Sequence, residues 1–260
     1  METNRDKWIM RPFNALFFAL LTFFVAVLIA ASVALRGAGD MTKRIILACV
    51  CLFTTLTFFI YKYYLSIDKE YDIIRDEMGM GGFNWWGELP LHLCNINMML
   101  IPIAVLLKIR PLESFCFFAA PLGALAALMM PGEGFEGYSL LLPRMMGFFG
   151  THFMIFIEGL AITTFRLYKP AFRDIPLTML TALITLLGVS AINLILRWTG
   201  VYPNANYFYS IESENNAVLD MFYRWVPIPV IYIMPCIGIL AFYMFVITGI
   251  FHISDVLRLK

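Results

Sequence analysis

The chain alternates long apolar runs with short polar breaks, and these runs set its architecture. Seven windows approach or reach the roughly 20 residues that a helix needs to cross a bilayer. They cover about 13–35, 45–61, 89–107, 112–130, 145–165, 177–196 and 226–251. The second is short, yet "IILACVCLFTTLTFFIY" holds no charge. The pattern predicts an all-α integral membrane protein, one domain over 1–260 built as a bundle of seven transmembrane helices. Only "KIRP" parts the third window from the fourth. Those two therefore form a tight antiparallel pair, with Lys108 and Arg110 at the level of lipid headgroups. Pro90, Pro102, Pro121 and Pro235 start or kink helices, which a bundle in lipid accommodates. Basic residues precede the first window as in a signal peptide, but the run exceeds the roughly 7–15 residues of a signal core and reads as a retained helix. Two connections, 62–88 and 198–225, are long. Trp85, Trp86, Tyr202, Tyr207, Tyr209 and Trp225 in them are the amphipathic aromatics expected at a membrane surface.

Composition agrees with the pattern. Hydrophobic residues make up 61% of the chain and charged ones 14%, against about 45–50% and about 25% in a soluble domain. Too few polar side chains remain to coat a globule, so the solvent is hydrocarbon and a multi-pass place in the cell membrane is expected. A net charge of +1 gives no electrostatic basis for nucleic acid as a partner. The five cysteines lie in or beside apolar runs, with neither zinc-site spacing nor the even count of a disulfide framework. Lys and Arg divide almost evenly, nine on the amino-terminal face and ten opposite, while 13 acidic residues gather on the amino-terminal face and four on the other. Lys and Arg, which set topology, thus discriminate weakly; the reading is amino terminus outside.

An odd number of helices brings the reactive residues to one side. The third, fifth and seventh begin at the amino-terminal face; the second, fourth and sixth end there. His92 and Cys94 fall at the start of the third helix and His152 two turns into the fifth, with Glu158 deeper on it. Ser190, Asn193 and Arg197 form a stripe near the end of the sixth, and Asn204, Asn206 and Tyr207 follow in the loop. Polar side chains in spanning helices are costly and face a bundle interior or a watery cavity; as single residues they also serve as interhelical hydrogen bonds. Leu89-Pro90 suits a helix start, which puts Cys94 near the positive helix end, where a thiolate is favoured. His92 is no base for it, because residues two apart on a helix point to nearly opposite sides. The acceptor has to come from another helix, and His152 is the candidate. His92, Asn97 or a backbone N–H at the helix start would then hold a substrate carbonyl oxygen. A mirror assignment, with His92 catalytic and Cys94 packed, is also physically open. His92, Cys94 and His152 are usable metal ligands, but their spacing matches no zinc signature, and no cofactor is expected. Glu158, the one carboxylate deep in a predicted helix, pairs with a cation, moves protons or bonds a neighbouring helix.

The stretch "LPLHLCNINMMLIPIAVLL" resembles the LPLHLC signature of the YwaF-type integral membrane proteins. Three further features agree: the early histidine in "GTHFMIFIEGL", the Asn-Tyr motif in "NANYFY" and the proline-rich "WVPIPVIYIMP". Relatives often follow the Asn-Tyr motif with a leucine and a Lys-Pro pair; "FYSIESENNAVLD" has neither, so no role of that lysine carries over. The family is similar to an animal multi-spanning phospholipid acyltransferase that passes acyl chains through a cysteine thioester. The resemblance implies Cys94 as nucleophile, His152 as its base, and membrane lipids as acyl donor or acceptor, with hydrolysis as the close variant. Two other classes compete. A small-solute transporter or channel would line its path with Glu158, Asn193 and Arg197 and use Asn97 as a contact. A non-catalytic scaffold would bind a partner through the two long loops.

Overall fold

A computed structural model describes residues 8–77, 81–214 and 216–258. Its helices are α1 (Ala15–Ala34), α2 (Asp40–Ser66), α3 (Lys69–Glu77), α4 (Leu93–Leu107), α5 (Arg110–Met129), α6 (Pro143–Thr164), α7 (Ile175–Trp198), α8 (Ala217–Trp225) and α9 (Met234–Arg258). Among the described residues the β-structure amounts to one isolated bridge, Ile9 to Ser139. Six helices are long and apolar enough to cross a membrane, and α4 is a shorter apolar one. The molecule is a helical membrane bundle.

Four helices make its centre: α2, α4, α5 and α6 pack against one another. In the apolar stretches of α5 and α6 61% of residues are buried, against 11% in α1 and 22% in α9. The two peripheral helices therefore turn most of their surface, including Phe18, Phe23, Phe242 and Phe245, to lipid. α1 leans on α6, while α7 and α9 pack beyond α5. Glycine sets the closest approach inside the core. A Cβ on Gly159 of α6 would lie 2.6 Å from the Pro121 ring of α5, and one on Gly147 would lie 2.2 Å from the Tyr61 ring of α2. Lys108, in the left-handed region at φ 55°, ends α4, and α5 begins two residues later, giving the expected tight pair.

Several expected boundaries move. α2 runs from residue 40 to 66, well beyond the window 45–61, because Arg44 and Lys62 find carboxylates inside the protein and stay helical. The third window overstates α4 at its start: residues 89–92 are not helical, and Leu93 rather than Pro90 opens the helix. Proline restricts the residue before it to extended backbone, and the Leu91 N–H closes a tight turn on the Leu89 carbonyl at 2.7 Å. The seventh window likewise loses 226–233. Pro227 and Pro229 supply no N–H, Val230 is left-handed at φ 67°, and α9 starts at Met234 with Pro235 in its first turn. The long connections also carry the short helices α3 and α8.

With 15 residues, α4 is about 22 Å long, shorter than the roughly 30 Å hydrocarbon core. Its first residues therefore lie inside the bundle. Non-helical backbone at such depth, here residues 89–92, has to be covered by protein, and the segment 199–233 covers it through Tyr207 and Tyr209, which meet Leu89 and His92.

Candidate active site

Cys94 is the second residue of α4, and His152 stands nine residues into α6, roughly 13 Å along the helix axis. The two meet. His152 Nε2 lies 3.3 Å from Cys94 Sγ, and both residues are buried. The other ring nitrogen, Nδ1, is 2.8 Å from the Phe148 carbonyl oxygen, one turn earlier on α6. A carbonyl only accepts, so Nδ1 has to carry the proton. That choice leaves Nε2 with its lone pair facing the thiol. Phe148 also packs on the imidazole, with ring centroids 4.4 Å apart and the rings tilted by 43°, and limits its rotation. The first intrahelical bond of α4 runs from Ile96 N–H to the His92 carbonyl at 2.9 Å. The amides of Leu93, Cys94 and Asn95 precede it and belong to the group that a helix N-terminus leaves without intrahelical partners. On α5, Gly123 makes room: a Cβ there would sit 3.4 Å from the Cys94 nitrogen.

His92 does not share this contact. Its ring packs against Tyr207 at 5.3 Å and Tyr209 at 5.5 Å. Those two tyrosines belong to the covering segment, and burial pushes the Tyr209 phenol up to about 12, so it stays neutral. Tyr207 donates its hydroxyl to the Trp86 carbonyl and accepts from the Leu89 N–H at 3.3 Å, tying the cover to the LPLHL stretch. Asn193 holds the same segment from α7. Its Oδ1 accepts from the Tyr207 N–H at 2.9 Å, and its Nδ2 donates to the Tyr207 carbonyl at 2.8 Å and to Ser210 Oγ at 2.9 Å. Arg197 donates to the Ala205 carbonyl and to Glu212, and Asn206 closes a turn on Ile211, Glu212 and Glu214. These polar groups are occupied in building the cover.

Beside the site lies a buried ion cluster. Glu88, immediately before LPLHLC, takes Lys62 of α2 on one oxygen at 2.5 Å and Arg75 of α3 on the other at 2.7 Å. Burial alone would raise the Glu88 carboxyl, but the two cations outweigh it and hold it below the ordinary carboxylate value. Among the described residues no three His, Cys, Asp or Glu side chains gather in a metal-binding arrangement.

Residues 9–248 match the TMEM164 family, a span that takes in α1 to α8 and most of α9. The chain belongs to the TMEM164 family. No curated protein and no solved structure gives a significant match. Membership makes the chain a multi-span membrane protein, in keeping with its helices. In this TMEM164-family chain the remaining singled-out residues stand apart from the Cys94–His152 contact. Glu158 is deeper in α6, buried, and accepts from Thr54 Oγ1 of α2 at 2.5 Å; its second oxygen has no partner among the described residues. Asn97 donates to the Leu93 carbonyl at 2.6 Å, and its buried Oδ1 is likewise without a partner among the described residues. Sequence reading missed the Glu88 cluster. The signal was available: Lys62 closes an otherwise uncharged run, and Glu88 is the last acid before the most reactive stretch of the chain.

Proposed function

We propose that this protein transfers acyl groups of membrane lipids through a thioester on Cys94. The observation that carries the reading is the contact between Cys94 Sγ and His152 Nε2, with the imidazole tautomer set by the Phe148 carbonyl. Such a pair is the arrangement that activates a thiol nucleophile. In the forward half-reaction the Cys94 proton passes to Nε2 as Sγ bonds to the ester carbonyl carbon. The tetrahedral oxyanion forms near the amides that open α4, which are suited to stabilise it. Collapse breaks the ester C–O bond, and the leaving alkoxide takes the proton from Nε2. A second lipid hydroxyl then reverses these steps and carries the acyl chain away; water in its place gives hydrolysis. The likeness of LPLHLC to the YwaF-type signature points the same way. A solute path is less well supported, because Asn193, Arg197 and Asn206 are engaged in the cover and Glu158 bonds Thr54 in an apolar surround.

The test is mass spectrometry of the full chain after incubation with phospholipid. The expected result is an acyl mass on the Cys94 peptide that hydroxylamine removes. Cys94→Ser should abolish it, and His152→Ala should slow its formation by about 10²–10⁴-fold, the usual worth of a positioned base. Phospholipid incubations that leave Cys94 unmodified, in a preparation whose Cys94 still reacts with a small alkylating reagent, would remove thioester chemistry as the function.

A further inference from the structure

On the face opposite to Cys94, a cavity of about 380 Å³ opens where the starts of α5 and α7 meet the end of α9. Arg110, Lys169, Arg173 and His252 line it, against a single carboxylate, Asp255. Lys169 pairs with Asp255, and Arg110 pairs with Asp174 through Nε and Nη2 at 2.8 and 2.7 Å. Arg173 makes no ion pair among the described residues, and the Nη1 of Arg110 makes no hydrogen bond among them. The excess in the cavity is therefore positive.

A second, independent observation points to a ligand. Thr248 of α9 also lines the cavity; it is 1% exposed, and its Oγ1 has no hydrogen-bond partner among the described residues. A buried hydroxyl is left so only at a cost in stability, unless something that enters the cavity bonds it. The surroundings narrow the chemistry. This face carries ten Lys and Arg against four acids, and Arg36, Lys43 and Arg166 line another, smaller cavity on it. Phe172 packs on Phe245 at 5.2 Å, and the neighbouring α9 surface of Phe242, Phe245 and Ile253 faces lipid. A basic, hydroxyl-bearing recess at headgroup level, continuous with an apolar helix surface, suits a phosphate ester with acyl tails attached.

We propose that this cavity binds the phosphate of an anionic membrane lipid, with Arg173 and Arg110 on the phosphate oxygens and Thr248 Oγ1 as a neutral partner. The site is independent of Cys94 and stands whether or not that residue carries acyl groups.

Native mass spectrometry of the full chain in a neutral detergent tests it, with phosphatidic acid, diacylglycerol of the same chains and inorganic phosphate as probes. Phosphatidic acid should remain bound where diacylglycerol does not. Arg173→Gln should weaken retention about fivefold, the effect of one charge near a lipid surface, and Thr248→Val by about the same factor through the loss of one hydrogen bond, while Thr248→Ser retains it. Displacement by millimolar inorganic phosphate would assign the site to phosphate from any source; resistance to it would assign the site to the lipid. Equal retention of phosphatidic acid and diacylglycerol would overturn the proposal. So would parent-like binding by both Arg173→Gln and Thr248→Val.

Discussion

At the scale of single residues, Asn193 ties the covering segment to α7, because one amide satisfies both the N–H and the C=O of Tyr207 and reaches Ser210 as well. Asn193→Ala strands these buried groups, at about 1–3 kcal/mol for each left without a partner. The thermal midpoint in detergent should fall. Cys94 should also be alkylated faster, since Tyr207 and Tyr209 pack on His92 two residues away. Asn193→Asp keeps the acceptor but turns a carboxylate oxygen toward the Tyr207 carbonyl, so it should fare no better. Unchanged alkylation with a lowered midpoint would separate the cover from access to Cys94. Glu88 adds a pH dependence whose sign follows from its partners. Its folded value lies below the ordinary 4.5, held there by Lys62 and Arg75 against the effect of burial. A depressed carboxylate gives its full contribution above the unfolded value and loses it as pH falls through the folded one. The midpoint in detergent should therefore show no Glu88 contribution to its slope between pH 7 and pH 5, then an acid loss that Glu88→Gln lacks. Glu88→Gln should itself be less stable at pH 7, because it leaves two cations buried without their anion. An acid loss of equal size in the variant would place its origin elsewhere.

At the scale of elements, α6 offers a paired experiment on how closely helices approach. Gly159→Ala would drive a methyl to 2.6 Å from Pro121 and 2.9 Å from Ala120, and neither a proline ring nor a helix backbone yields easily. Overpacking of this kind costs about 1–3 kcal/mol. Gly150, on the same helix, has open space where a methyl would sit, with nothing within 4 Å. Gly150→Ala should accordingly gain about 0.5–1 kcal/mol by removing glycine from a helix interior. Opposite shifts of the unfolding midpoint are expected, and a loss at Gly150 would mean that α6 needs its flexibility there. The same elements show what apolar patterning makes legible. Each of the seven windows contains a helix because length and hydropathy alone decide a span. Helix ends depart from the pattern where polar side chains are satisfied inside the protein, as with Arg44 and Lys62 in α2, or where proline interrupts, as before α4 and α9. The Cys94–His152 pairing could be read ahead, since a helix start and a second turn on the same face converge by topology. The tautomer could not, because it depends on a backbone carbonyl that no side-chain pattern records. Nor could the use of Asn193 and Asn206 in the cover, since a buried amide that builds a loop and one that binds a ligand look alike in a sequence.

At the scale of the molecule, the arrangement of faces turns on α4. Every other apolar helix is long enough to span, whereas α4 is about 22 Å and begins below the cover. If it completes a crossing together with residues 89–92, the chain crosses seven times, and loops lie on alternate faces. Gly82 and Ser213 then share one side of the bilayer with the start of α1, and Gly37 lies on the other. Among the described residues nothing lies within 4 Å of a Cβ built on Gly82 or Gly37, so cysteines there should be tolerated. The lipid-facing Cys49 and the buried Cys94 should stay silent to a charged maleimide. In sealed vesicles of uniform orientation, Gly82→Cys and Ser213→Cys should react from the same side, and Gly37→Cys only after the opposite side is opened. Reaction of Gly82→Cys and Gly37→Cys from one side would require α2, the one spanning helix between them, to leave the membrane and would dismantle the bundle as described. Reaction of Gly82→Cys and Ser213→Cys from different sides would break the shared cover over Cys94. The expected labelling would put the Cys94 face and the basic cavity beside Thr248 in opposite leaflets, so that whatever occupies one meets a different lipid population from the other.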